Sequence, residues 1–145
     1  MMLIRLINKV RIKFLIIALL LATMMFVIAA CNSDTVSLGQ EFSLRIGEST
    51  SIRGEELQVR FLEVTEDSRC PTGVVCIWEG RVSGLLEITY RESLHRVELT
   101  EPGSTSWPSE ITSEEYKIAY HVEPYPQAGI EIAEEEYRLE LTISK

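Results

Sequence analysis

The stretch Trp78-Glu79-Gly80-Arg81-Val82-Ser83-Gly84-Leu85-Leu86-Glu87-Ile88-Thr89-Tyr90-Arg91 decides the fold class of this chain. Its odd-numbered positions are polar apart from Leu85, whereas large apolar residues occupy the even-numbered positions Trp78, Val82, Leu86, Ile88 and Tyr90. Successive side chains of a β-strand point to opposite faces, so this alternation predicts a strand with one face in the core and one face in water. The pattern places Trp78 in the core and predicts a break or bulge at Gly84.

Further rows of apolar residues with a period of two lie on both sides of this strand. They cover residues 42–46, 57–64, 94–100, 116–122 and 137–143, and a short segment at 49–53 adds another. The apolar parity changes at Phe61-Leu62, which predicts a β-bulge there. About seven short strands and no long helical stripe predict an all-β fold, a single antiparallel β-sandwich or barrel.

A cysteine-containing loop precedes the strand at 78–91 and holds two of the three cysteines, Cys70 and Cys76. Pro71 and Gly73 lie between them and can bend the chain enough to bring the two sulfur atoms together. We therefore expect a disulfide between Cys70 and Cys76. Closing so short a loop should contribute roughly 2 to 2.5 kcal/mol to stability in the chain-entropy model.

Redox chemistry and metal binding are the alternatives for this cysteine pair. The five intervening residues differ from the Cys-x-x-Cys spacing of redox-active pairs. A closed zinc site takes four ligands, and the candidates besides the two sulfurs are Asp67, Glu79 and the two histidines, His95 and His121. His95 shares the apolar parity of its strand and is expected at the edge of the core, whereas His121 falls on the polar parity. We predict a structural disulfide, no metal site and no cofactor.

Residues 1–30 have the features of a bacterial export signal. Four basic residues and no acid precede a nearly unbroken apolar run at 14–30. The sequence Ile28-Ala29-Ala30-Cys31 then resembles the lipobox of bacterial lipoproteins, which implies that Cys31 receives a diacylglyceryl group and becomes the N-terminus. We expect a lipoprotein signal peptide at 1–30, a polar tether at 31–40 and the β domain at 41–145. A permanent transmembrane anchor and plain secretion are the alternatives.

The predicted mature chain is strongly acidic. The whole chain has a formal charge of −8, and residues 1–30 carry four basic side chains without an acid, so residues 31–145 have a formal charge of −12. Such an excess of acids argues against nucleic-acid binding and against adhesion to anionic lipid headgroups. It favours solubility, and a protein partner would be expected to be basic.

No sequence motif indicates catalysis. The chain lacks Gly-x-Ser-x-Gly, His-Glu-x-x-His and a phosphate-binding glycine loop. Carboxylate pairs are too abundant to single out a catalytic dyad. Trp107, in a proline-flanked loop, is the residue that we expect to make an exposed contact. We therefore predict that the protein is not an enzyme.

The residues Asp67-Ser68-Arg69-Cys70-Pro71 and Cys76-Ile77-Trp78-Glu79-Gly80 resemble a signature of uncharacterised bacterial secreted proteins and lipoproteins, Asp-Ser-Arg-Cys-Pro followed by Cys-(Val/Ile)-Trp-x-Gly. The resemblance extends from about Phe42 to the strand that begins near Tyr137. It implies an extracytoplasmic location and the Cys70–Cys76 pair, but no activity. The position of Glu79 is often alanine in that group, which counts against Glu79 as a functional residue.

These observations together predict a lipid-anchored protein of the bacterial cell envelope. Its anchor would lie in the outer face of the cytoplasmic membrane or in the outer membrane. We expect a non-enzymatic binding or structural module whose ligand the sequence does not identify. The alternatives are an inhibitor or chaperone of an exported, basic enzyme, and a metal-binding protein or hydrolase.

Overall fold

The structure is a computed structural model, and it describes Lys13, residues 35–103 and residues 109–145. The predicted lipidation site Cys31, the predicted signal peptide apart from Lys13, and the candidate contact Trp107 lie outside the described residues. Within the described part of the chain, no helix reaches the length and apolarity that crossing a membrane requires.

The fold is an all-β sandwich, as the sequence predicts. One sheet has five strands in the order β1-β3-β4-β5-β6, and the other has four in the order β2-β9-β8-β7. Neighbouring strands are antiparallel except for the parallel pair of β1 with β3. The strands are β1 Thr35–Val36, β2 Glu41–Arg45, β3 Ser49–Ile52, β4 Leu57–Asp67, β5 Arg81–Tyr90, β6 Ser93–Pro102, β7 Ser109–Ser113, β8 Tyr116–Glu123 and β9 Arg138–Ser144.

Strands β1 and β7 are additional to the expected set of about seven. β1 contains only two residues, which is too short to show a period. β7 follows Pro108 directly, in the proline-flanked loop that the sequence predicts around Trp107, and among the described strands it pairs with β8 at the edge of its sheet. Short edge strands bury little apolar surface, so their sequences carry a weak alternation.

The folded domain includes part of the expected tether. Thr35 and Val36 pair with β3, and Leu38 packs against the core. The backbone N–H of Gly39 donates a hydrogen bond to the carbonyl of Ile143 at 2.8 Å. Residues 35–40 therefore belong to the sandwich, and the boundary expected at residue 41 is wrong. Polar composition suggested a tether, but strand pairing satisfies the backbone groups of these residues.

The core lies between the two sheets and is built from the rows that the sequence predicts to face inward. Fully or almost fully buried side chains include Val82, Leu86, Ile88, Ile118, Val122, Leu139 and Leu141. Burial of such side chains is the main favourable term in the stability of the domain, at about 1.5–3 kcal/mol each.

The irregularities of the central hairpin lie in β4 and not in β5. The register between the two strands shifts between Phe61 and Glu63 and again between Val64 and Glu66, which confirms the predicted bulge near Phe61-Leu62. β5 continues through Gly84 without the expected break. A Cβ atom at Gly84 would lie 3.1 Å from Cε2 of Phe61, so the glycine makes room for this buried ring.

Candidate functional site

The loop that connects the central strands β4 and β5 is the most distinctive surface feature of the domain. It runs from Ser68 to Gly80, and a disulfide joins Cys70 to Cys76 with the two sulfur atoms 2.09 Å apart. The predicted pair is therefore present. We call residues 70–80 the disulfide loop.

Trp78 lies on the surface of the disulfide loop, with 75% of its area exposed, and the predicted core position is wrong. The alternation of β5 begins only at Arg81, because Gly80 adopts a φ of +71° and turns the chain just before it. A Cβ atom at Gly80 would lie 1.8 Å from the carbonyl oxygen of Ser68, so no other residue fits this backbone. The parity of a strand does not extend across such a turn.

Three further apolar side chains of the disulfide loop are exposed beside Trp78. Val75 is 101% exposed and Ile77 is 96% exposed, while Val74 is half-exposed. Side chains with values near 100% make essentially no contact with their own domain. A cluster of large apolar side chains in one short segment is unusual for a soluble surface and is typical of an interaction site.

A buried arginine holds the base of the disulfide loop. Arg69 is only 3% exposed, and its guanidinium pairs with the carboxylate of Asp67 at 2.7 Å. It also donates hydrogen bonds to the carbonyl oxygens of Val122 and Pro124, each at 2.8 Å, and it lies 5.0 Å from the ring centre of Tyr125. Arg69 therefore ties the loop of one sheet to the end of β8 in the other.

The carboxylate of Asp67 has a second partner. The hydroxyl of Tyr137 donates a hydrogen bond to Asp67 Oδ2 at 3.1 Å. Burial, followed by the neighbouring charge of Asp67, raises the pKa of Tyr137 to about 12. This hydroxyl therefore stays protonated at neutral pH and keeps donating to the carboxylate.

Backbone hydrogen bonds fix the two ends of the disulfide loop. The N–H of Ser68 donates to the carbonyl of Arg81 at 2.8 Å, and the N–H of Cys70 donates to Glu79 at 3.0 Å. At the exposed edge of the base, a hydrogen bond from Arg81 lowers the pKa of the Glu66 carboxyl. The apolar side chains thus project from a segment whose backbone is fixed at both ends.

A second loop lies directly beside the disulfide loop. Thr72 forms an isolated bridge with Gln127, in which its N–H donates to Pro126 and its carbonyl accepts from Ala128. This neighbouring loop covers residues 124–137 and contributes an exposed apolar side chain, Ile130, at 62%. It also carries Glu131 and the 3-10 turn Glu134–Glu136, and it contains no lysine or arginine.

The buried carboxylate of Glu101 lies near the base of the loop, and the sequence analysis does not identify it as a candidate site residue. Glu101 is 3% exposed, accepts a hydrogen bond from the N–H of Val122 at 3.1 Å, and lies 2.7 Å from Nδ1 of His121. A signal was available in the sequence, because Glu101 continues the inward parity of Val97 and Leu99 on β6. A carboxylate on an inward row requires a partner in the opposite sheet.

The two histidines lie in different surroundings. His121 is partly buried, and its Nε2 lies 3.0 Å from Oε1 of Glu123. His95 is exposed on β6, with Nε2 3.7 Å from Glu114, so the expected position at the core edge is wrong. In residues 35–103 and 109–145, no three His, Cys, Asp or Glu side chains gather as a metal site would require.

Comparison of the chain with protein-family models, with curated proteins and with solved structures finds no match.

Proposed function

We propose that this protein is a non-enzymatic binding module of the bacterial cell envelope, anchored by lipid at Cys31, and that the disulfide loop is its binding element. The single observation that carries the proposal is the exposure of Val75, Ile77 and Trp78 on a loop whose backbone is held at both ends. The disulfide supports an oxidising compartment outside the cytoplasm. The lipobox-like sequence supports attachment to a membrane of the envelope.

The energetics of the loop favour binding over a purely structural role. A disulfide loop that only stabilised the fold would not need large apolar side chains directed into water. Their burial against another surface would be favourable at about 25 cal/mol per Å² of apolar area. Because the disulfide and the Arg69 contacts already order the backbone, binding would require little further ordering of the loop.

The proposal is tested by comparing capture of envelope components by three full-length proteins. These are the wild type, the double variant Ile77→Ser/Trp78→Ser, and the control Leu94→Ser. Leu94 is 57% exposed but lies on β6, away from the disulfide loop. We expect the wild type and the control to retain a component that the loop variant loses. Equal retention by all three proteins would contradict the proposal.

The location is tested separately by labelling cells with palmitate. The wild-type protein should incorporate the label and fractionate with membranes, whereas Cys31→Ala should do neither. Undiminished labelling of Cys31→Ala would remove the lipid anchor from the proposal.

A further inference from the structure

We infer that the binding partner is a protein whose surface has an apolar recess bordered by basic side chains, and that the disulfide loop inserts into this recess. The inference rests on the proposed function, because it names the chemistry that the same loop would recognise. An inhibitor or chaperone of an exported basic protein would act through such a contact.

The shape of the loop indicates a recess and not a flat partner. Val75 and Ile77 are exposed at 101% and 96%, so other residues of the domain cover almost none of their side-chain surface. A flat surface could cover only one side of each of them. A concave partner can bury them, and deep burial of anchor side chains in a pocket is the usual arrangement of interface hot spots.

The disulfide loop and the neighbouring loop act as one surface. Thr72 is bonded through its backbone to Pro126 and Ala128, and a Cβ atom at Gly73 would lie 3.8 Å from the Ala128 side chain. A partner that covers the tip of the first loop therefore also approaches the second. The second loop presents an exposed apolar side chain of its own, Ile130.

The two hydrogen-bonded loops that form this surface are acidic. Residues 70–80 contain Glu79 and no lysine or arginine, and residues 124–137 contain four glutamates and no lysine or arginine. The flanking Arg69 and Arg81 are already paired with carboxylates at 2.7 and 2.9 Å. Arg45 and Arg138 line a surface groove together with Glu135 and Glu136 and offset part of the charge of these two glutamates.

The sign of the charge favours a protein over a lipid surface. Exposed tryptophan and isoleucine also occur in segments that enter the membrane interface, but such segments use basic residues to attract anionic lipids. Here the two loops together carry five glutamates and no lysine or arginine, and an anionic bilayer would repel them. A basic rim on a protein would instead attract the loop and accelerate association.

Photo-crosslinking in the living bacterium tests the inference with the full-length protein. p-Benzoylphenylalanine is placed at Val75 in one strain and at Leu94 in the control strain. We expect a discrete protein adduct from position 75 and none from position 94. The captured protein is then purified, and its dissociation constant is measured against the wild type, Glu131→Lys/Glu135→Lys, and the control Glu92→Lys. Glu131, Glu135 and Glu92 are all exposed, and Glu92 lies in the hairpin between β5 and β6.

The outcomes distinguish failure of this inference from failure of the proposed function. A protein adduct whose affinity falls at least about tenfold in Glu131→Lys/Glu135→Lys, but not in Glu92→Lys, supports the inference. If a protein is captured but its dissociation constant does not change in the charge variants, the proposed binding module stands and the hypothesis of a recess bordered by basic side chains is wrong. Adducts with lipid alone, together with binding of the wild type to phosphatidylglycerol vesicles, overturn the protein partner. No adduct from position 75 overturns both proposals.

Discussion

Replacing Arg69 by methionine should strongly destabilise the domain at the base of the disulfide loop. Methionine keeps the length and apolar stem of arginine but removes its charge and its donors. The carboxylate of Asp67, whose side chain is only 10% exposed, would lose the ion pair at 2.7 Å and the hydrogen bond at 2.9 Å. The carbonyl oxygens of Val122 and Pro124 would lose their donors as well.

The expected loss is about 3–5 kcal/mol of unfolding free energy, which is the usual effect of removing one partner of a buried ion pair. A domain of this size is stabilised by about 5–15 kcal/mol in total, so the loss is a large fraction of the stability, and the variant remains folded if the wild type is more stable than about 5 kcal/mol. With a denaturant slope near 2 kcal/mol/M, the urea midpoint should fall by about 2 M.

Urea titration followed by intrinsic fluorescence measures this midpoint, and Arg53→Met is the matched control. Arg53 is an exposed arginine in the turn after β3. Its replacement should change the free energy of unfolding by less than about 0.5 kcal/mol. Equal midpoints for Arg69→Met and Arg53→Met would refute the conclusion that Arg69 holds the two sheets together at this end.

The double variant Asp67→Asn/Arg69→Met separates the ion pair from the other contacts of Arg69. Removing both charges leaves no unpaired carboxylate, so the double variant should be less destabilised than the sum of the two single variants, with a coupling of about 1–3 kcal/mol. Additive losses would show that Asp67 and Arg69 stabilise the fold independently.

Three further predictions follow from burial, from the disulfide and from one buried tyrosine. Ile118→Ala, at a fully buried site, should cost about 2–5 kcal/mol of unfolding free energy in a urea titration, whereas Ile77→Ala, at a site 96% exposed, should cost less than about 0.5 kcal/mol. Similar losses for the two variants would contradict the exposure of the disulfide loop. Cys70→Ser/Cys76→Ser should lower the free energy of unfolding by roughly 2 to 2.5 kcal/mol, and thermal unfolding curves that coincide with the wild type would exclude a stabilising disulfide. Burial, assisted by a hydrogen bond to the Glu55 carboxylate, raises the pKa of Tyr116 from 10.0 to about 12. The neutral hydroxyl therefore contributes its full stabilisation below pH 10, and this contribution is lost as the pH rises through about 12. In urea titrations between these pH values, the free energy of unfolding should fall less for Tyr116→Phe than for the wild type, and equal decreases would contradict the raised pKa.

Strand alternation was sufficient to predict the core of the sandwich. The rows at Val82–Ile88, Tyr116–Val122 and Leu139–Ile143 face inward as their parity predicts, because an extended chain places every second side chain on the same face. The bulge near Phe61 was also visible, because one extra residue reverses the parity of those that follow. These properties depend on residues that are close together along the chain.

The same reasoning was wrong for Trp78 and incomplete for Glu101. The parity that assigned Trp78 to the core ends at Gly80, where a positive φ and the close approach of Ser68 turn the chain. Glu101 does face inward, but its partner is the N–H of Val122, which lies 21 residues further along the chain and belongs to the other sheet. No local pattern identifies such a partner.

By itself, the sequence determined the all-β class, the inward rows of the strands and the pairing of Cys70 with Cys76, because these depend on local alternation and on short loop closure. Only the tertiary structure decided which face of the disulfide loop meets water. That outcome depends on Arg69, which is held by carbonyl groups more than fifty residues away, and on a glycine turn that directs Trp78 outward. The candidate binding surface therefore arises where long-range contacts override the period of the neighbouring strand.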